Sequence, residues 1–245
     1  MAKLAGRRCL VTGAGRGIGE AIAAGLAAEG GRVAVLDFDG GRAEVVASRL
    51  QGGAVAVAAD VADPYEVQRA VDRVVAAFGG VDVLVNNAGI DTSSPVVDMP
   101  LEVWDRMMAV NLRSVFLCTK AVLPGMLERG WGRIINISSQ LAQKGAPDMA
   151  HYSAAKAGVI GFTRSLAYEV AQKGVTVNAI CPGPVDTTLW REIPADWRAR
   201  KLAELPIGRP ARVEEIVPTA VMLASDDGSY YVGATLNPNG GDVMV

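Results

Sequence analysis

The sequence predicts a single α/β domain over residues 1–245, a doubly wound parallel sheet of about seven strands flanked by helices. Three observations predict it. Short apolar, β-branched runs alternate with helical patterns along the chain. A glycine-rich turn joins the first run to the first helix. Polar and small residues cluster where the apolar runs end, the edge at which such sheets bind ligands.

Arg8–Thr12 reads as the first strand. Gly13-Ala14-Gly15-Arg16-Gly17-Ile18-Gly19 follows, then a helical pattern with Ile22 and Leu26. Glycines there let backbone approach a phosphate, and the helix N-terminus offers free N–H groups and a favourable dipole. A tight packing turn would look the same. Arg32–Leu36 is the second strand and ends at Asp37, 18 residues past Gly19. At that spacing an acidic side chain meets an adenosine ribose. A carboxylate accepts from ribose hydroxyls and repels a 2′-phosphate, so NAD(H) is expected over NADP(H). Arg16 argues the other way, since it could reach a phosphate.

Ala54–Ala59 is strand three, closed by Asp60-Val61. Asp63-Pro64 is a helix start, with Asp as cap and Pro at the first position. Val81–Val85 is strand four and runs into Asn86-Asn87-Ala88-Gly89. A long helical region through Trp104, Phe116 and Leu117 ends near Arg129. Asn111 lies inside it, where propensity disfavours it, so it is either exposed or has a role. Gly132–Ile137 is strand five and Val175–Cys181 strand six; Pro182-Gly183-Pro184 stops the latter. The texture then changes, with Trp190, Trp197, Pro194 and many charges, and one or two short helices around 187–210 are expected to cover the site as a lid. Glu214–Ser225 reads as a helix and Gly233–Pro238 as the last strand.

Between strands five and six stands Tyr152-Ser153-Ala154-Ala155-Lys156. Tyr152 and Lys156, four apart on a helix, share a face. A neighbouring ammonium favours the phenolate and is expected to lower the phenol's pKa toward a useful range. Ser139, at the end of strand five, adds a hydroxyl. The three could hold a carbonyl oxygen and move one proton to it.

Composition removes other chemistries. Net charge is −2, so no basic field marks nucleic acid or anionic membrane. No uninterrupted apolar stretch approaches about 20 residues, the span of a bilayer. Cys9, Cys118 and Cys181 are scattered, as in a reducing compartment, and a cytoplasmic protein is expected. His151 is the lone histidine, so no His-rich metal site is possible and none is expected. It is expected to sit solvated in a first helical turn.

These motifs together resemble the short-chain dehydrogenase/reductase family over essentially the whole chain. The likeness rests on TGAGRGIG (Thr12–Gly19), Asp60-Val61, NNAG (Asn86–Gly89), Asn111, Ser139, YSAAK (Tyr152–Lys156) and Pro182-Gly183 with Thr187. It implies a Rossmann-type fold and a catalytic tetrad. Tyr152 would be the acid/base. Lys156 would tune it and hold the nicotinamide ribose. Ser139 would orient the substrate oxygen, and Asn111 would hold a water behind Lys156. The cofactor would lie along Gly13, Arg16, Gly17, Ile18 and Gly19, then Asp37 and Phe38, then Asp60 and Val61. Asn87, Ala88 and Gly89 would carry it on toward Tyr152 and Lys156, with Pro182, Gly183, Val185 and Thr187 at the carboxamide.

Within the family the chain resembles the 3-oxoacyl-acyl-carrier-protein reductases, through RIINISS, HYSAAKAGVIGFTRSLAYEVA and NPNGG. Those reductases usually take NADPH, which Asp37 opposes. The expected reaction is NAD(H)-dependent interconversion of a secondary alcohol and a ketone. The alternatives are an NADP(H)-dependent 3-oxoacyl-acyl-carrier-protein reductase of fatty acid synthesis and a catalytically silent nucleotide-binding protein. Asp91, Gln140, Asp148, Leu189 and Trp190 are expected to touch the small-molecule substrate. Family likeness also implies a homotetramer.

Overall fold

In the computed structural model, which describes residues 2–245, seven parallel strands form one sheet in the order β3-β2-β1-β4-β5-β6-β7. The strands are β1 (Arg8–Thr12), β2 (Arg32–Asp37), β3 (Val55–Ala58), β4 (Val83–Asn86), β5 (Gly132–Ile137), β6 (Val175–Ile180) and β7 (Thr235–Leu236). The helices are α1 (Gly17–Ala28), α2 (Gly40–Arg49), α3 (Pro64–Phe78), α4 (Leu101–Met108), α5 (Ser114–Arg129), α6 (Leu141–Lys144), α7 (Ala150–Val170), α8 (Thr188–Glu192), α9 (Ala195–Glu204) and α10 (Val217–Ala224). This is a Rossmann fold.

The central strands are buried on both faces, so they read as unbroken apolar runs. One face packs Ile22 and Leu26 of α1, Val46 of α2 and Val221 of α10 against Val11, Val35 and Ile135. The other packs Val67 and Val74 of α3, Val122 and Met126 of α5 and Leu166 of α7 against Leu10, Leu84 and Ile134. Strand order reverses between β1 and β4, and this switch point sets the site.

Local chemistry starts and stops the elements. Asp63 accepts from Tyr65 N at 2.8 Å and Glu66 N at 3.0 Å, with Pro64 first in α3. Gly174 ends the helical run before β6 at φ +79°, and an added Cβ would lie 2.0 Å from Gly130 O.

Several boundaries differ from those expected. The final strand keeps only Thr235 and Leu236, because it borders β6 alone. The helix expected over Glu214–Ser225 is a 3-10 turn, Val213–Glu215, followed by α10. Residues Leu101–Arg129 form a continuous 29-residue helical run, long and apolar enough in composition to cross a bilayer. Here its Val110, Cys118, Val122 and Met126 are buried against the sheet instead. The run widens into a π turn at Ala109–Arg113, a departure that often marks a functional position.

Candidate active site

The carboxyl ends of the strands open on a cavity of about 720 Å³. That lies within the roughly 300–1,000 Å³ usual for small-molecule and cofactor sites. At one end stand Arg16, Asp37, Phe38 and Arg42; at the other stand Ser139, Tyr152, Lys156 and Trp190.

The glycine loop and the β4 edge are built around Thr12. Its hydroxyl accepts from Asn87 N and Ala88 N, both at 3.1 Å. The Asn87 side-chain amide donates to Thr12 O at 2.9 Å and Gly13 O at 3.0 Å. Gly13 has φ +61°, and an added Cβ would lie 2.7 Å from Ala88 Cα. Bare backbone is therefore what this rim can present, and it leads into the first turn of α1. That arrangement suits a dinucleotide phosphate. Gly13, Gly17, Ile18, Asp60, Val61, Asn87, Ala88 and Gly89 line the cavity, as do Pro182, Gly183, Val185 and Thr187. Gly19 does not; it packs behind the loop, where a Cβ would meet Gly13 O at 2.3 Å.

The opposite end rests on buried polar contacts. Ser138 donates its hydroxyl to Lys156 O at 2.8 Å, fixing α7 to the end of β5. Ser139 Oγ accepts from Leu141 N at 3.1 Å, and its own O–H faces the Tyr152 phenol oxygen. Lys156 Nζ donates to Ile137 O at 2.9 Å and lies 5.9 Å from the Tyr152 ring centre. Asn111 is fully buried: its amide donates to Ile90 O at 2.9 Å and accepts from Ile90 N at 3.0 Å, clamping the loop after β4. Beneath the site, Asn86 donates to Asn136 Oδ1 at 2.8 Å, and Asn136 donates to Thr163 Oγ1 at 2.9 Å. This chain ties β4 and β5 to α7. Thr12, Asn86, Asn136 and Thr163 stand in the quoted stretches, but the sequence assigns them no role; polar residues inside otherwise apolar elements were the available signal.

The pKa values correct one expectation. Burial pushes the Tyr152 phenol up to about 12, with hydrogen bonding to Ser139 only partly opposing it. Burial lowers Lys156 to about 8. In the protein alone, desolvation outweighs the expected acidifying effect of the ammonium.

Of the five residues expected at the substrate, Asp91, Leu189 and Trp190 line the cavity. Gln140 is buried beside it, its backbone N–H donating to Pro182 O at 3.1 Å, and does not face it. Asp148 is exposed at φ +59°, and its carbonyl accepts from Ser94 N at 2.8 Å. His151 is not solvated either: it is fully buried, and its Nε2 lies 2.8 Å from Thr92 Oγ1. Arg42 and Arg106 were not anticipated at the cavity; Arg42 arrives from the first turn of α2 and Arg106 from the last turn of α4, where it pairs with Asp60 at 3.1 Å. Over the mouth, Thr187 Oγ1 accepts from Trp190 N at 3.4 Å and caps α8. Trp190 meets Trp197 of α9 edge to face, 6.3 Å between ring centres.

Comparison with known proteins identifies the family. A family model described as Enoyl-(Acyl carrier protein) reductase matches residues 13–242. The chain belongs to the short-chain dehydrogenase/reductase family, and it is an oxidoreductase. It is 42% identical over 240 residues to the 3-oxoacyl-(acyl-carrier-protein) reductase of Escherichia coli (strain K12), covering 98% of both chains. Its identity to the corresponding reductase of Synechocystis sp. (strain ATCC 27184 / PCC 6803 / Kazusa) is 44%, covering all of both. A solved structure from Sinorhizobium meliloti 1021, assigned to the short-chain alcohol dehydrogenases, superposes at TM-score 0.94 with 36% identity. It covers 98% of this chain and 97% of that one.

These matches correct the expectation of NAD(H) over NADP(H): the reductases they name are the NADPH-using group. Geometry supplies a reason why Asp37 misled. Its Oδ2 accepts from Gly15 N at 2.8 Å and its Oδ1 from Asp39 N at 3.0 Å, so the carboxylate is already engaged by backbone. Arg16 and Arg42 border the same end of the cavity and bring two positive charges to it.

Proposed function

We propose that this chain reduces the 3-oxo group of an acyl thioester to a 3-hydroxy group with NADPH. The observation that carries the reading is the meeting of Ser139, Tyr152 and Lys156 at one end of a cavity whose other end is a bare-backbone phosphate rim. The bound nicotinamide supplies the hydride. The chain manages the proton. A phenol held at about 12 keeps its proton through the neutral range, as a donor to a carbonyl oxygen must. Ser139, whose Oγ accepts from Leu141 N, would turn its O–H from the phenol to the same substrate oxygen. Lys156 spends one of its three donors on Ile137 O and keeps the others for the nicotinamide ribose. Its ammonium offsets the negative charge that develops on the substrate oxygen.

Asn111 would hold the proton-relay water through its backbone carbonyl, its side-chain amide being taken by Ile90. Gly13, Arg16, Gly17 and Ile18 would cradle the pyrophosphate, with Arg16 and Arg42 on a 2′-phosphate. Asp60 and Val61 would hold the adenine, and Pro182, Gly183, Val185 and Thr187 the carboxamide. Helices α8 and α9 form a lid within one domain spanning residues 1–245, with Leu189 and Trp190 on the acyl chain and Asp91 as a polar contact. The exposed Phe116 of α5 and Tyr168 of α7 are apolar surface that a homotetramer would cover. All three cysteines are free and buried, in keeping with a reducing cytoplasm.

The direct test is oxidation of NADPH by acetoacetyl-coenzyme A, a soluble stand-in for the carrier-bound thioester. Turnover is expected; a chain that binds NADPH and reduces no 3-oxo thioester would instead be a silent nucleotide binder. Arg42→Ala is expected to raise KM for NADPH about tenfold, the loss of one charge-assisted phosphate contact, and to leave KM for NADH unchanged. Equal effects on both cofactors would remove Arg42 from the 2′-phosphate.

A further inference from the structure

The segment after β7 carries a charge cluster that this reaction does not use. Asp242 Oδ1 accepts from Lys144 Nζ at 2.7 Å and from Lys201 Nζ at 2.6 Å. The Asp242 side chain is 4% exposed and that of Lys201 8%. Glu204, the other carboxylate near Lys201, stands at 3.8 Å and is itself exposed.

Three parts of the molecule meet here. Lys144 is the last residue of α6, whose first N–H is the donor to Ser139 Oγ. Lys201 lies on α9 of the lid. Asp242 belongs to a segment pressed on the cavity wall: Gly183 N donates to Pro238 O at 3.3 Å, and a Cβ added at Gly183 would lie 2.6 Å from Asn239 O. The same segment holds the loop behind α9, with Ile207 N donating to Gly240 O at 3.2 Å.

The charges explain why these parts stay together. Burial alone would push the Asp242 carboxyl up, yet the two lysines hold it below its ordinary value. Without the carboxylate, the buried Lys201 ammonium would face the half-buried one of Lys144 with no charge between them.

We propose that Asp242 is a positioning residue whose carboxylate clamps the lid helix α9 and the α6 turn to the segment after β7. The clamp keeps Leu189 and Trp190 over the cavity and holds the Ser139 turn in register with them. This rests on the reading of α8 and α9 as a lid.

The test compares Asp242→Asn, Lys201→Met and the double variant in the full chain. One readout is steady-state reduction of acetoacetyl-coenzyme A; the other is tryptic cleavage in the lid after Arg198 and Arg200. Asp242→Asn is expected to raise KM for the thioester about tenfold, with kcat changed less than about twofold, and to speed lid cleavage. A mere loss of folded enzyme would lower kcat instead. Lys201→Met alone should show a smaller effect. Adding it to Asp242→Asn should recover part of the loss, because the facing cations are gone. Wild-type KM and wild-type cleavage in Asp242→Asn overturn the clamp, as does a double variant worse than the sum. Should no thioester be reduced at all, the proposed function fails by itself and the cleavage rates still decide the clamp. Should Asp242→Asn fail to fold, Lys201→Met decides, and cleavage as slow as wild type overturns it.

Discussion

Tyr152→Phe is expected to lower kcat/KM for thioester reduction about 10³-fold while leaving NADPH affinity and thermal stability near wild type. The substitution deletes one oxygen from a half-buried side chain on the cavity wall. The ring stays, and with it the packing of α7. What disappears is the proposed proton donor, so the loss should fall on kcat and not on KM. Steady-state kinetics and a cofactor titration on the same preparation check this. Activity at wild-type level in the variant would remove the phenol from the mechanism.

Lys156→Met should cost about 10²–10³ in kcat/KM, since it removes the cation proposed to sit beside the developing oxyanion. Its second consequence concerns stability and pH. Lys156 is lowered from 10.5 to about 8 by burial, so between these values the unfolded chain binds a proton that the folded one does not. Stability therefore rises as pH climbs from about 8, by about 1.4 kcal/mol per pH unit while only the unfolded chain is protonated. Tyr152 acts oppositely above about 10: its raised pKa keeps a proton in the fold that the unfolded chain gives up, and stability falls again. The buried thiols of Cys9 and Cys118, pushed from 9.0 up to about 12, act as Tyr152 does but from about pH 9, so the clean window is pH 8 to 9. Urea unfolding across that window should show the rise in the wild type and lose it in Lys156→Met. A rise that persists in the variant would assign it to another group.

Much of the site was legible because its chemistry is local. The phosphate loop needs glycine at Gly13, where any Cβ would strike Ala88, and such a need shows as a motif. Tyr152 and Lys156 lie one helical turn apart, so their shared face follows from spacing alone. Ser139 could be placed because it ends a strand. The residues at a distance were not legible. Arg42 shares a cavity wall with Arg16 only because α2 starts beside the loop, and no spacing announces that. Asp242, Lys144 and Lys201 are separated by up to 98 residues, and each alone reads as an ordinary surface charge.

The misreadings share a cause. The chemistry of the side chain alone decides neither His151, which is fully buried, nor the Tyr152 phenol, which desolvation pushes up. Asp37 was judged as a free carboxylate, whereas the backbone of Gly15 and Asp39 already occupies it.

Order along the chain determined the elements, the parallel sheet, the proposed nucleotide rim and the proposed catalytic side chains, because each depends on neighbours within a few residues. Tertiary structure alone decided which groups are dehydrated, which charges meet and what covers the cavity. Those properties depend on what other parts of the chain exclude water from a group, and that is not written near the group itself.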